Sequence, residues 1–355
     1  MDCSPSTSSF MASARFIELF CHFGSVLNLV LSSYTVFLVA FKSPNVMRSS
    51  VPYLINMALW TAFCDFTWAV LLLPMVFHPV LAAHGSGVLV TIGFPKLGMY
   101  WLSYASLGGV TASIITLFEQ RHHVIVTDSR FVMRRRATRR LFYLLLYLHL
   151  LNFGLPELLT VPADQPEAKR LARAALPCLP DVFSSDSTVV LQSDASVYCP
   201  HMWTVCIGFA ALLYFYCAHI LYHLSPRNNP RMSARTRRMF RSLFVAQCVQ
   251  VAVPTCVVGV PTIYWNFSAT TGFYSQELNN LSIVNFTLHG VSASIATILF
   301  YSPYRKFTME LVLPGALRSR RGLRQSFETF PGKLTKSREK SKKKSTIVAI
   351  SVCAP

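Results

Sequence analysis

Residues 97–118 read LGMYWLSYASLGGVTASIITLF, twenty-two positions without a charged side chain, and residues 119–140 continue EQRHHVIVTDSRFVMRRRATRR, with seven arginines. A helix needs about 20 apolar residues to cross the roughly 30 Å of hydrocarbon in a bilayer, and it must satisfy its own backbone hydrogen bonds there. The first stretch therefore predicts a membrane helix, and the second a polar connector at its end. Six further apolar runs, 16–41, 53–77, 141–161, 202–224, 243–265 and 281–302, bring the total to seven. Barrel strands would be about ten residues long and alternate with period two, which these runs do not. The expected fold is all-α membrane: a seven-transmembrane helix bundle over 16–303, between an N-terminus of 1–15 and a basic tail of 304–355. The third span has a soft start, because 88–94 is also apolar, and Pro156, Glu157 and Pro162 weaken the outer end of the fourth. The first run exceeds the roughly 7–15 residues of a signal-peptide core, and no small-residue cleavage site follows it, so it reads as a retained helix.

Composition agrees. Of 355 residues, 52% are hydrophobic and 14% charged, yet the net charge is +18. That hydrophobicity excludes disorder for most of the chain, and ten cysteines are too few for a disulfide-dense secreted scaffold. A nucleic-acid binder is the other reading of so basic a chain, and the placement of the charges decides against it. Lys and Arg number 2, 7 and 6 in the first, third and fifth connectors and 13 in the tail, against five on the opposite side. Cytoplasmic loops collect these residues, so the N-terminus is expected outside and the C-terminus inside.

On the outer side, Asn266-Phe-Ser and Asn280-Leu-Ser are candidate glycosylation sites. Asn285-Phe-Thr falls inside the seventh span and should stay unmodified. The outer connector 162–201 carries Cys178 and Cys199. Either they bridge within the loop or one pairs elsewhere, for instance with Cys3. The six cysteines in the spans read as small packing residues. In the tail, 304–313 can form an interfacial helix. Residues 336–344 are a Lys-rich block, either topogenic or a contact for anionic lipid.

Ionisable groups inside a membrane mark functional candidates. Asp65 lies near the middle of the second span with no basic partner deep in any span, so Asn28, Asn56 or Asn285, a cation or a proton is its expected companion. Glu18 and Glu157 sit near helix ends and can reach the outer interface. His289, followed by Gly290, is either a switch contact or a satisfied structural histidine. Glu119 and Arg121 end the third span in Phe118-Glu-Gln-Arg, where an acid beside an Arg can form an ion lock that opens as helices move. The alternative is an interfacial acid in an ordinary positive-inside pattern. Pro74, Pro254 and Pro261 lie within expected helices and predict kinks. Metalloprotease, nucleophile-elbow and phosphate-loop motifs are absent, so no enzyme, metal site or cofactor is expected.

A set of short motifs, in order, narrows the reading. They are Phe41-Lys-Ser-Pro, Tyr53-Leu-Ile-Asn-Met, Asp65, Phe118-Glu-Gln-Arg, Pro162-Ala-Asp-Gln, Leu176-Pro-Cys-Leu-Pro, Gln250-Val-Ala-Val-Pro, Leu288-His-Gly and Tyr304-Arg. With these the chain resembles the nematode serpentine receptor class H chemoreceptors, a family of the G-protein-coupled receptor type, over most of 41–307. The resemblance implies a multi-pass plasma-membrane chemoreceptor of sensory cilia coupled to a heterotrimeric G protein. It also implies Glu119 and Arg121 near the activation lock, and Asp65, Pro254, His289, Tyr304 and Arg305 are further signalling candidates. The third span has no Cys at its outer end, so the bridge that rhodopsin-like receptors make from there to the long outer loop cannot form.

The leading expectation is a receptor that binds a small-molecule cue from the outer side and shifts toward an inner-open state. Arg134, Arg135, Arg136, Arg235, Arg237 and Arg238 would form the surface facing the G protein, in addition to their topological role. The ligand-binding residues stay unassigned. The competing expectation is a ligand-gated channel or transporter, which would require polar stripes along several spans.

Overall fold

The computed structural model describes residues 9–126, 129–192, 195–230 and 232–312. The chain divides into two units, 1–305 and 306–355. The Ser13 hydroxyl accepts the N–H of Phe16 and so opens α1 (Ala14–Lys42). α2 (Val51–Phe66) begins with Pro52 in its first turn, where the missing N–H costs nothing, and runs on through a π-helical segment, Thr67–Leu72. After a hairpin of β1 (Pro74–Val76) and β2 (Leu81–Gly85) come the short α3 (Val88–Thr91) and the long α4 (Lys96–Ile125). α5 (Arg136–Leu151) and α6 (Leu155–Leu159) together form the next column.

The connector that follows is ordered. Asp164 caps α7 (Gln165–Ala175) by accepting the N–H of Glu167 at 3.0 Å, and β3 (Thr188–Gln192) pairs antiparallel with β2. The result is a three-stranded sheet in the order β1-β2-β3. α8 (Ala195–His223) and α9 (Ala234–Thr271) are the next two columns. The seventh is broken: α10 (Gln276–Thr287) and α11 (His289–Phe300) meet at a 40° bend. There the His289 ring nitrogen Nδ1 lies 3.1 Å from the Phe286 carbonyl, so a side chain intrudes on the helical ladder. α12 (Ser302–Val312) ends the described chain.

Among the described residues six helices are long and apolar enough to cross a membrane, seven with the bent pair counted as one. All seven runs are therefore helical, with one correction. The second was expected to continue to residue 77 with a kink at Pro74. Instead Leu73 takes a left-handed conformation (φ 42°) and Pro74, with no N–H to give a helix, opens a strand. Within the apolar 88–94, Val88–Thr91 is a separate short helix rather than the start of the third span.

α4 is the central column. Its apolar window is 72% buried, against 11–39% for the five other spans outside the bent pair. Small residues permit this. A Cβ on Gly108 would lie 1.8 Å from the Leu150 carbonyl oxygen of α5, and one on Gly109 would lie 2.1 Å from the Trp60 ring of α2. Close backbone approach of this kind is how helices pack where lipid removes the hydrophobic drive.

Candidate functional site

Among the described residues of the first unit, three polar clusters and two cavities between the helices form the candidate site. The first cluster joins α2 to α11. His289 Nδ1 is 2.5 Å from Asp65 Oδ1, and the Gly290 N–H donates to Asp65 Oδ2 at 2.9 Å. Asn28 of α1 stands beside them, its Oδ1 accepting from the Ser32 hydroxyl at 2.8 Å. A buried carboxylate is tolerable only when paired. The expectation that Asp65 lacks a basic partner and turns to an asparagine is thus corrected: His289, 224 positions later, is the partner. Asn56 instead donates to the Tyr147 hydroxyl at 2.6 Å, and Asn285 to the Val257 carbonyl at 2.9 Å. That carbonyl is the one Pro261 cannot bond, so Asn285 repairs the gap the proline leaves.

The second cluster lies at the arginine-rich end. Glu119 and Arg121 are both buried, but they engage different helices. Arg139 of α5 meets Glu119 with Nη2 at 2.7 Å and Nε at 3.1 and 3.2 Å, and Tyr143 also bonds the carboxylate. Arg121 Nε donates to Gln247 Oε1 of α9 at 3.1 Å. Two residues apart on a helix point in different directions, so the motif holds two contacts, α4–α5 and α4–α9, rather than one internal pair. The sequence counted Arg139 among the basic connector charges without pairing it to Glu119, and Gln247 and Tyr143 drew no notice. Nearby, the Tyr304 hydroxyl lies 2.6 Å from Ser43 Oγ, and exposed Arg305 donates to the Leu299 carbonyl at 3.0 Å. Arg134, Arg135, Arg136, Arg235 and Arg238 are exposed, while Arg237 is half-buried and donates to the Asn229 and Met232 carbonyls.

The third cluster is at the sheet-bearing end. Glu157 is fully buried and pairs with His201 of α8, so it does not reach toward an interface as expected. Gln276 and Asn279 of α10 donate to the Val76 and His78 carbonyls at 3.0 and 2.9 Å and tie down the β1–β2 hairpin. His78 stacks on Trp265 with centroids 5.6 Å apart, and burial pushes its pKa down to about 3. Burial also lowers His84, helped by the charge of Lys169.

Several expectations for this end are corrected. Asn266 lies inside α9 and Asn280 inside α10. Both are buried, with their amides donating to Thr262 and to Met11 and Ser13, so neither is presented for glycosylation. Cys199 is a free buried thiol whereas Cys178 is disulfide-bonded, so the bridge between these two is not formed. Cys3, the other partner considered, lies outside the described residues.

The sheet roofs a cavity of about 160 Å³ whose walls include Leu81, Trp68, Tyr104, Tyr198, Trp265 and Phe286. A deeper one of about 330 Å³ is lined by Gln250, Pro254, Asn266 and His289 among others. Leu107, Met202 and Thr262 border both. Neither was legible beforehand, because walls drawn from five or more helices have no signature along one chain. Among the described residues no three side chains are grouped to hold a metal ion.

The solved crystal structure of squid rhodopsin superposes with a TM-score of 0.57 over 89% of this chain and 88% of that one, at 10% identity, a likeness of fold. Serpentine receptor class H-72 of Caenorhabditis elegans is 24% identical over 310 residues, 85% of this chain and 87% of the relative. The family model described as serpentine type 7TM GPCR chemoreceptor Srh matches residues 12–313. A multi-pass membrane protein with a rhodopsin-like bundle, the chain belongs to the Srh family of serpentine seven-transmembrane chemoreceptors.

Proposed function

We propose that the protein binds a small-molecule cue in the sheet-roofed cavity and activates a heterotrimeric G protein at its basic end. The sheet end then faces outward and the arginine-rich end the cytoplasm, in the plasma membrane of a sensory cilium. One observation carries this reading: the bend in the seventh column. Phe286, on the cavity wall, lies two residues before Leu288, and His289, tied to Asp65, lies one after it. A ligand pressing on Phe286 and Trp265 therefore acts where α10 and α11 hinge. α9, which carries Trp265, also carries Gln247, the partner of Arg121. A ligand shifts this arrangement only by binding one state more tightly than the other.

The test is a panel of odorants and metabolites applied to cells displaying the full chain, with G-protein activation as the readout. Activation lost on replacing Trp265 by Leu, at unchanged surface display, supports the reading. Ligand-evoked current that persists in cells without G proteins would favour the channel or transporter instead.

A further inference from the structure

The deeper cavity goes beyond that reading. Gln250 Oε1, Asn266 Oδ1 and His289 Nε2 are buried and have no hydrogen-bond partner among the described residues. All three belong to side chains that line this cavity. Leaving such atoms unpaired is costly, and proteins rarely do so without a reason. The Asn266 amide is oriented, because its Nδ2 donates to the Thr262 carbonyl at 2.9 Å and leaves Oδ1 as a free acceptor. The facing walls, from α4 and α8, include Val110, Ile114, Val205 and Phe209. The cavity thus has one polar wall and one apolar wall.

Two lining residues on neighbouring helices, Trp203 of α8 and Ile263 of α9, are 47% and 62% exposed. The cavity therefore reaches the outside of the bundle between these helices, where a membrane protein meets lipid. No Lys, Arg, Asp or Glu lines it, and the lining histidine, His289, already faces Asp65. A charged guest would be buried unpaired. At about 330 Å³ the cavity sits at the small end of ligand pockets.

We infer that this cavity binds a small uncharged amphiphile, an apolar body with a hydroxyl at one end, which enters from the bilayer between α8 and α9. The hydroxyl donates to Asn266 Oδ1 or Gln250 Oε1. It can also accept from the His289 Nε2–H, since a hydroxyl plays both parts. The site stands apart from the signalling proposal, because its test reads binding alone.

Gly259 supplies the plug: it lines the cavity, and a Cβ there meets nothing within 4 Å. The full chain is placed in lipid nanodiscs and titrated with a terminally brominated long-chain alcohol, then with the brominated alkane of equal length. Bromine quenches tryptophan, and Trp203 sits in the wall. The alcohol should quench saturably, at a half-point about tenfold below any seen with the alkane, the scale of one good hydrogen bond. Gly259→Leu should abolish the saturable phase, and Asn266→Leu should weaken it by about tenfold. If Gly259→Leu does not fold, the wild-type comparison and Asn266→Leu still decide. Indistinguishable quenching by alcohol and alkane overturns the proposal, as does wild-type affinity in Asn266→Leu. Mass spectrometry of extracted lipid separates the sources. A neutral amphiphile retained by the wild type but not by Gly259→Leu makes the ligand a membrane component. Alcohol binding with none retained makes it an external compound.

Discussion

Gly290 leaves no room for a methyl group: a Cβ there would stand 2.1 Å from Asp65 Oδ2 and 2.8 Å from Asn28 Oδ1. Gly290→Ala should therefore push the carboxylate off its backbone donor and lower stability by about 1–3 kcal/mol, seen as a fall in the thermal midpoint of the purified protein. The pair itself allows a sharper test. Removing one member of a buried ion pair costs about 3–5 kcal/mol, because the other charge is left alone, whereas removing both is far milder. His289→Leu should unfold or fail to reach the cell surface, and Asp65→Asn with His289→Leu should recover most of the loss. Surface display that is equal in the single and double variants would show the two side chains acting independently. Both residues were legible as polar intruders in apolar runs. Their pairing was not, because 224 positions separate them and a single chain does not say which two helices meet.

At the scale of elements, packing decides what hydropathy cannot. Gly108→Ala drives a Cβ to 1.8 Å from a backbone carbonyl of α5, which cannot swing aside as a side-chain tip can. It should cost at least about 1–3 kcal/mol in thermal unfolding. Gly208→Ala in α8 meets nothing within 4 Å and should be neutral or stabilising by up to about 1 kcal/mol. The β1–β2 hairpin is the element that apolar patterning misread, because 73–77 is equally consistent with a helix end or a buried strand. Its anchoring has a pH dependence. His78 titrates at about 3 when folded, against 6.5 for a free histidine, because burial penalises its charged form. Between those values the opened hairpin binds a proton that the closed one does not. Closure is thus fully favoured above about pH 6.5 and weakens by about 1.4 kcal/mol per unit as the pH falls toward 3. Hydrogen exchange of the 74–85 amides should quicken between pH 7 and pH 5 beyond the intrinsic rate change, and His78→Gln should remove the excess.

The whole molecule connects these parts. The number and order of the spans were readable from seven apolar runs, since hydropathy is a sum along the chain and needs no knowledge of contacts. What the runs could not supply was the division of labour in Phe118-Glu-Gln-Arg. Glu119 fastens α4 to α5 through Arg139, and Arg121 reaches α9 through Gln247. The first contact is three hydrogen bonds from one guanidinium and suits a fixed joint. The second is a single bond at 3.1 Å to a helix that also carries Pro254 and Pro261, and it suits a catch that opens. A hydrogen bond to a charged group is worth about 1.5–3 kcal/mol, so breaking this one moves a two-state balance by about ten- to a hundredfold. If the ligand-free receptor is held closed by the catch, Gln247→Leu should raise basal G-protein activation toward the ligand-stimulated level. Arg121→Ala should lose the response at normal surface display, and Glu119→Gln should lower stability more than it alters basal activity. Basal activity unchanged in Gln247→Leu, with the protein at the surface, would place the catch elsewhere in the bundle.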